Sequence, residues 1–339
     1  MNKLKSIIKK VIPSSFLDRL LNIKERLSST LVFNYDKKRF IKNYSASHKK
    51  ASLNQIKTYL IFYTHSLEKG LSHDDFRNGF GKKALTALST NLKVYEKNGF
   101  DKSDKVYVNA ISTLKEYIKA HSSVGYDTDY LSKMFEHFLD EAKKCKKDIG
   151  GKMVINKSDK INNKLKNFKD LFTERYSVRS YSDDPVDIED IKTAIDISMK
   201  TPSVCNRQSS RVHVITNKDV IKNAMAIQGG MNGYVIPPAL IAVTTDSSSF
   251  ISIYERNQIF IDGGAFSMSL LLSLEYQGLA ACPLNTMFSI KRDKAMRKLL
   301  NIGSNENLIM IISVGNFKEK NNVAKSFRLS SKDITSIIE

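Results

Sequence analysis

The chain has 339 residues, enough for two domains of ordinary size, and its apolar fraction of 41% supports packed cores. A formal net charge of +19 favours an anionic partner, or else a face of solvated lysines. No Cys-x-x-Cys, His-x-x-x-His or His-Glu-x-x-His occurs, which argues against a structural zinc site, and three cysteines without a secretory signal argue for a reducing cytoplasm rather than a disulfide framework.

Residues 1–45 read as a basic amphipathic segment. Leu4, Ile7, Ile8 and Val11 form one apolar stripe among lysines, and Phe16 to Leu21 continue it after Pro13. Such a helix lies on an anionic inner membrane face, docks on its own domain or packs against a partner subunit. No apolar run is long enough to span a bilayer.

Residues 46–165 read as a helical domain and linker. Helical spacing of apolar residues predicts helices over Asn54–Leu67, Lys83–Tyr95, Tyr107–Ile118 and Tyr130–Ala142, with no fixed repeat between them. Lys143 to Asp170, rich in lysine and asparagine and holding Gly150-Gly151, reads as a hinge or exposed linker.

From residue 166 the pattern alternates between helix and strand. Asp187 is a candidate cap for a helix running to Lys200. Arg211–Thr216, Leu240–Thr244 and Leu308–Val314 read as strands, and Phe266–Tyr276 as a largely buried helix. Helices on both flanks of a short mixed central sheet make an α+β domain with α-β-α layers, preceded by the mostly helical one.

Two short segments stand out. Arg175-Tyr176-Ser177-Val178-Arg179 puts two guanidinium forks and a hydroxyl at alternate positions, which face one side of an extended chain and converge on an anion. Pro202-Ser203-Val204-Cys205-Asn206-Arg207-Gln208 is a turn with two carboxamides, Asn206 and Gln208, whose donors and acceptors suit a heterocycle edge. A phosphate grip followed by a heterocycle-reading turn describes a mononucleotide site; singly, the two are a basic turn before a helix and a helix end.

The order of these motifs resembles the flavin-dependent nitroreductase family. The resemblance continues through Ile236-Pro237-Pro238, Asp262-Gly263-Gly264-Ala265, Gly278-Leu279-Ala280 and a basic tail around Lys325 and Arg328, spanning roughly residues 168–339. Ala280 departs from the family's usual Gly-Leu-Gly. The resemblance implies FMN as cofactor, NADH or NADPH as electron donor, a homodimer with sites at the subunit interface, and no catalytic side chain because the flavin carries the chemistry. Carried over residue by residue, it assigns Arg175, Ser177 and Arg179 to phosphate, ribityl chain and pyrimidine, and Pro202, Ser203, Asn206 and Gln208 to the ring edge. It further assigns Leu279 and Ala280 to the ring's other face, and Lys325 and Arg328 to closure on the phosphate. Cys205 and Cys282 fall within these motifs, as redox thiols or as inert small hydrophobes.

In the first half, Tyr63 to Leu71 resembles a segment found ahead of such domains in proteins of surface-polysaccharide assembly. His65, Glu68, Lys69 and Arg77 line a substrate pocket over the flavin, or form a charged helix end facing water, with Gly70 placed to stop the helix. The resulting expectation is an oxidoreductase acting on a small-molecule or glycan-type anionic substrate. The alternative is a catalytically silent scaffold docked to a membrane-associated biosynthetic assembly, motivated by Ala280 and the large added domain. Nucleic-acid binding has dispersed lysines alone behind it and is not favoured.

Overall fold

The computed structural model describes residues 14–45 and 52–339. The Leu4–Val11 stripe lies outside these. The first described helix, α1 (Ser14–Asn43), meets the rest of the protein through Asp36, which accepts from Arg256 Nε at 2.6 Å and Nη2 at 3.0 Å.

Four segments then build the helical domain: α2 (Leu53–Leu71), α3 (Lys82–Lys97), α4 (Lys105–Ser122) and the short pair α5 (Tyr130–Phe135) and α6 (Phe138–Lys144). Ser52 and Gln55 form a reciprocal capping box at the start of α2, and Asp104 caps α4. Apolar residues at helical spacing face inward together: Ile56, Leu60 and Leu67 of α2, Leu85, Leu88 and Leu92 of α3, Leu114 and Tyr117 of α4. Glu136, at φ 52°, splits the single helix expected over Tyr130–Ala142 into α5 and α6. Gly70 does not stop α2, which runs on to Leu71. A Cβ there would lie 1.8 Å from the Phe80 ring, so the glycine admits that ring against the helix.

The linker expected from Lys143 to Asp170 is ordered structure. Gly150 and Gly151 are buried against α4, and a Cβ on Gly150 would meet Thr113 Oγ1 at 2.2 Å and the Asn109 carbonyl at 2.7 Å. The pair serves close packing, not a hinge. Beyond it β1 (Lys152–Asn156) pairs antiparallel with β6 (Lys320–Ala324), the last strand, so the segment before the second domain is stitched to that domain's end.

The second domain continues through α7 (Phe168–Thr173) and α8 (Ile188–Ser198), the latter capped by Asp187. Next come β2 (Ser210–Ile215), α9 (Lys218–Gln228), β3 (Ala239–Asp246), α10 (Gln258–Tyr276), β4 (Leu279–Leu284), α11 (Ile290–Leu300) and β5 (Glu306–Asn316). The main sheet has the order β2-β3-β5-β4 and is antiparallel throughout, not mixed. A helix alone returns the chain to the end where its strand began and gives a parallel neighbour. After α9 the stretch 229–238 carries the chain back again, so β3 enters from the opposite end. One core contains Ile191, Ile241, Val243, Phe266, Leu270, Ile312 and Val314; the other contains Ile221, Leu240, Ala280, Met296 and Ile311. Helix and sheet therefore form the α-β layers of an α+β domain.

One stretch, Ile253–Tyr276, is long and apolar enough to cross a membrane by length and composition, but half of its most apolar window is buried within the protein. It also carries the buried carboxylates of Asp262 and Glu275. Both features fit a core helix.

The two domains meet along the end of α2. Lys69 Nζ donates to the Gly230 carbonyl at 2.8 Å, and Tyr234 Oη donates to the Lys69 carbonyl at 2.7 Å. Asp74 accepts from Ser180 Oγ at 3.0 Å, Lys318 Nζ at 2.8 Å and Asn322 Nδ2 at 3.1 Å. This seam positions α2 over the tail that follows β6.

Candidate functional site

Residues 175–181 run extended between α7 and α8, with the Val178 N–H donating to the Ala281 carbonyl of β4 at 3.0 Å. Val178 is buried, and Arg175, Tyr176 and Ser177 before it all line a cavity of about 380 Å³. Phe172, Met268, Lys325 and Arg328 also line it. Two guanidinium nitrogens of Arg175, Nε and Nη1, are buried there without a hydrogen-bond partner. Burial holds the Arg175 pKa below its ordinary value, while Glu275 acts the other way. A half-buried arginine fork with free donors, flanked by a second arginine, is an anion receptor. Lys325 contributes less charge than the sequence suggests, because Asp148 takes its ammonium.

Arg179 lies one register further on and faces a second cavity, of about 360 Å³. Ser177, Ser326, Phe327 and Arg328 belong to both walls, so the two hollows adjoin. His65 and Glu68 of α2 and Asn109 of α4 close the far side of this second one. Glu68 is 1% exposed, and His65 Nδ1 stands 3.5 Å from its Oε2. Of the four expected substrate residues, His65 and Glu68 line this cavity. Lys69 turns instead to Gly230, its pKa lowered by burial and by Arg179. Arg77 is exposed and lines neither hollow.

The Pro202–Gln208 turn sits elsewhere. Pro202, Ser203 and Gln208 line a shallow hollow with Thr201, Asp262 and Phe266, sharing no residue with the other two. Phe266 and Met268 border different hollows from the same helix, α10, two residues apart and hence roughly 200° around its axis. Within one chain, the helix separates the carboxamide turn from the arginine pair. Cys205, Asn206 and Gln208 all take left-handed backbone angles, with φ of 50°, 55° and 50°. That concentration of strain in non-glycine residues marks a turn held by its surroundings. Val204 N–H donates to Asp262, Gln208 N–H to Ser203 Oγ at 2.9 Å, and Arg207 forms a two-point pair with Glu255 at 2.9 Å on each arm. Asp262 and Glu255 were not singled out in the sequence; Asp262 was visible only as the first letter of Asp-Gly-Gly-Ala.

Leu279 and Ala280 are buried in β4, one in each core, and neither lines a hollow. The left-handed residue is the preceding Gly278, at φ 79°; Ala280 has no positive φ and pairs with Gly315. The departure from Gly-Leu-Gly therefore costs no backbone strain. Cys282, next along the strand, is fully buried, and burial pushes its thiol pKa up against the pull of Arg179, Lys69 and Arg175. Cys205 is exposed. Neither cysteine forms a disulfide.

The second domain is thus an antiparallel α+β layered fold with an orphaned arginine fork over a cavity. In comparison with known proteins, the Nitroreductase family matches residues 172–242. That match falls wholly within the second domain and includes none of the helical one.

A curated protein of Archaeoglobus fulgidus, described by name only as an NADH dehydrogenase/NAD(P)H nitroreductase, is 27% identical over 152 residues, covering 45% of this chain and 86% of that one. Two crystal structures are similar at a coarser level. A nitroreductase family protein from Clostridium difficile is 24% identical with a TM-score of 0.38, covering 44% of this chain and 84% of its own. A nitroreductase with bound FMN from Desulfitobacterium hafniense is 19% identical with a TM-score of 0.40, covering 53% of this chain and all of its own.

Proposed function

We propose that the protein is an FMN-dependent oxidoreductase using NADH or NADPH and reducing an organic small molecule. The observation that carries this reading is the unpartnered Arg175 guanidinium lining a cavity beside Ser177 and Arg328. Free buried donors fit a phosphate, and the residues present therefore suit the anionic end of FMN. Bound there, FMN would supply hydride transfer between a nicotinamide and an acceptor. Arg175 and Arg328 hold the phosphate, Ser177 and Arg179 orient the chain and ring, and the packed end of α2 shields the site from water. Arg179 hydrogen-bonds the Ser177 carbonyl at 3.3 Å, which fixes the fork relative to its neighbour.

We further infer that a site is completed by a second copy of the chain, whose Pro202–Gln208 turn supplies the ring edge. Support comes from the separation of turn and arginines across α10, and from exposed apolar residues near the turn: Ile197, Met199, Phe260 and Ile261. Of the two observations behind the silent-scaffold alternative, the missing glycine falls away with the unstrained Ala280, and the added helical domain remains. A glycan-linked acceptor stays a finer reading, supported by the Tyr63–Leu71 resemblance.

The test is FMN uptake by the purified protein, read from its absorption spectrum before and after anaerobic NADH or NADPH. Bleaching of flavin bands supports the reading; a protein that takes up no FMN overturns it. Subunit sharing is tested by mixing Arg175→Ala with Gln208→Ala under exchange. Shared sites restore roughly a quarter of wild-type activity through one intact site per hybrid; sites within one chain restore none.

A further inference from the structure

The second cavity has a wall that the cofactor reading does not use. Glu68 is 1% exposed and Asn109 5%, and both line this cavity. Glu68 Oε1 and Asn109 Oδ1 are buried without any hydrogen-bond partner. Both orphan atoms are acceptors. A buried carboxylate oxygen with no donor is costly, and its ordinary remedy is a ligand that brings the donor.

The opposite wall narrows the ligand's chemistry. Arg179 and Arg328 line the same cavity, so an ammonium group entering it meets two fixed cations. Neutral hydroxyls donate to Glu68 and Asn109 without that repulsion. The volume, about 360 Å³, lies within the range of small-molecule sites, roughly 300–1,000 Å³.

We propose that the helical domain builds a subsite for a neutral, vicinally hydroxylated ring, whose hydroxyls donate to Glu68 Oε1 and Asn109 Oδ1. The proposal rests on the flavin reading, because Ser177 and Arg328 are walls of both cavities. A ribose of the reduced nicotinamide nucleotide and a sugar on the acceptor both present this chemistry. On either source, the added domain sets specificity, and the flavin domain alone lacks the subsite.

The experiment uses the full chain loaded with FMN, with Glu68→Met and Asn109→Leu, which remove the acceptors while keeping bulk. Equilibrium binding is measured by calorimetry with three probes: tetrahydro-NADH, 4-nitrophenyl glucoside, and 4-nitroanisole, which has no hydroxyl. FMN affinity is measured alongside, and both variants are expected to hold FMN as wild type does. The expected result is a roughly tenfold or greater loss in each variant for at least one hydroxylated probe, with 4-nitroanisole unchanged. Loss for tetrahydro-NADH identifies the ribose, and loss for the glucoside identifies the acceptor sugar. FMN-loaded variants that bind both hydroxylated probes as wild type does, or a wild type that binds neither, overturn the subsite and leave the cofactor reading standing. A wild type that takes up no FMN overturns both.

Discussion

Val204 donates its backbone N–H to the Asp262 carboxylate, at 3.2 Å to one oxygen and 3.4 Å to the other. The same carboxylate accepts from Gln258 Nε2 at 2.7 Å. A turn with three left-handed non-glycine residues is thus tied to the start of α10. Asp262→Ala should destabilise the protein by about 1–3 kcal/mol, on losing the hydrogen bonds that the half-buried Val204 amide and Gln258 make to a charged acceptor. It should also weaken FMN binding, because Gln208 loses its fixed position. Urea unfolding and FMN titration on one preparation check both. Unchanged stability would mean that the strain is held by other contacts.

Arg207 and Glu255 brace the same turn from its other side. The hydrogen bonds from Arg207, followed by the Ile251 amide, pull the Glu255 pKa from 4.5 to about 2. A carboxyl with a depressed folded-state pKa stabilises above its unfolded value and loses that contribution as pH falls through the folded one. The brace should therefore be complete above pH 4.5 and fade towards pH 2. Melting temperatures across this window should fall less steeply for Glu255→Gln than for wild type. Parallel curves would count against the brace.

Arg175 separates binding from folding. Its Nε and Nη1 have no partner, so Arg175→Ala should leave the melting temperature level or raised. FMN affinity should fall by roughly 100-fold, as expected on losing a two-point charged contact. Arg175→Lys should fall between, since an ammonium keeps charge without the fork. An alanine variant binding FMN like wild type would remove the phosphate assignment.

Lys160 and Glu275 form a buried ion pair at 2.6 Å, 4% and 3% exposed. Asn163 Nδ2 adds a bond to the Glu275 carbonyl at 2.7 Å. Burial raises the Glu275 pKa and Lys160 opposes it. Lys160→Met alone should cost about 3–5 kcal/mol by stranding the carboxylate, whereas the double variant with Glu275→Leu should recover most of that. A double-mutant cycle by denaturant unfolding measures the coupling.

What the sequence disclosed follows the range of the physics involved. Helix faces were readable because Ile56, Leu60, Leu85, Leu88 and Leu92 repeat at helical spacing, and every one is buried. Asp187 was readable as a cap because capping is decided within three residues. Longer-range relations were not. Gly150-Gly151 has the composition of a linker, and only the helix lying against it makes the pair a packing element. The antiparallel sheet depends on where the 229–238 stretch delivers the chain, which local preference does not encode. The alternation of Arg175, Ser177 and Arg179 was legible, but not that Arg175 lines one hollow and Arg179 the adjoining one, with Ser177 in both walls. That Lys69 turns to Gly230 and Arg77 to solvent was not legible either, because side-chain direction at a domain seam is set by the opposite domain.

The pairing of β1 with β6 fixes where the protein can be divided. The family match begins at residue 172, yet the strand that zips onto the far end of that domain lies at Lys152–Asn156. A fragment cut at the homology boundary would leave five residues of β6, Lys320–Ala324, as an open edge, with Arg328 only a few residues beyond it. The family-model match starts downstream of β1, whereas the tail that lines the anion cavity follows directly from the strand that β1 pairs with.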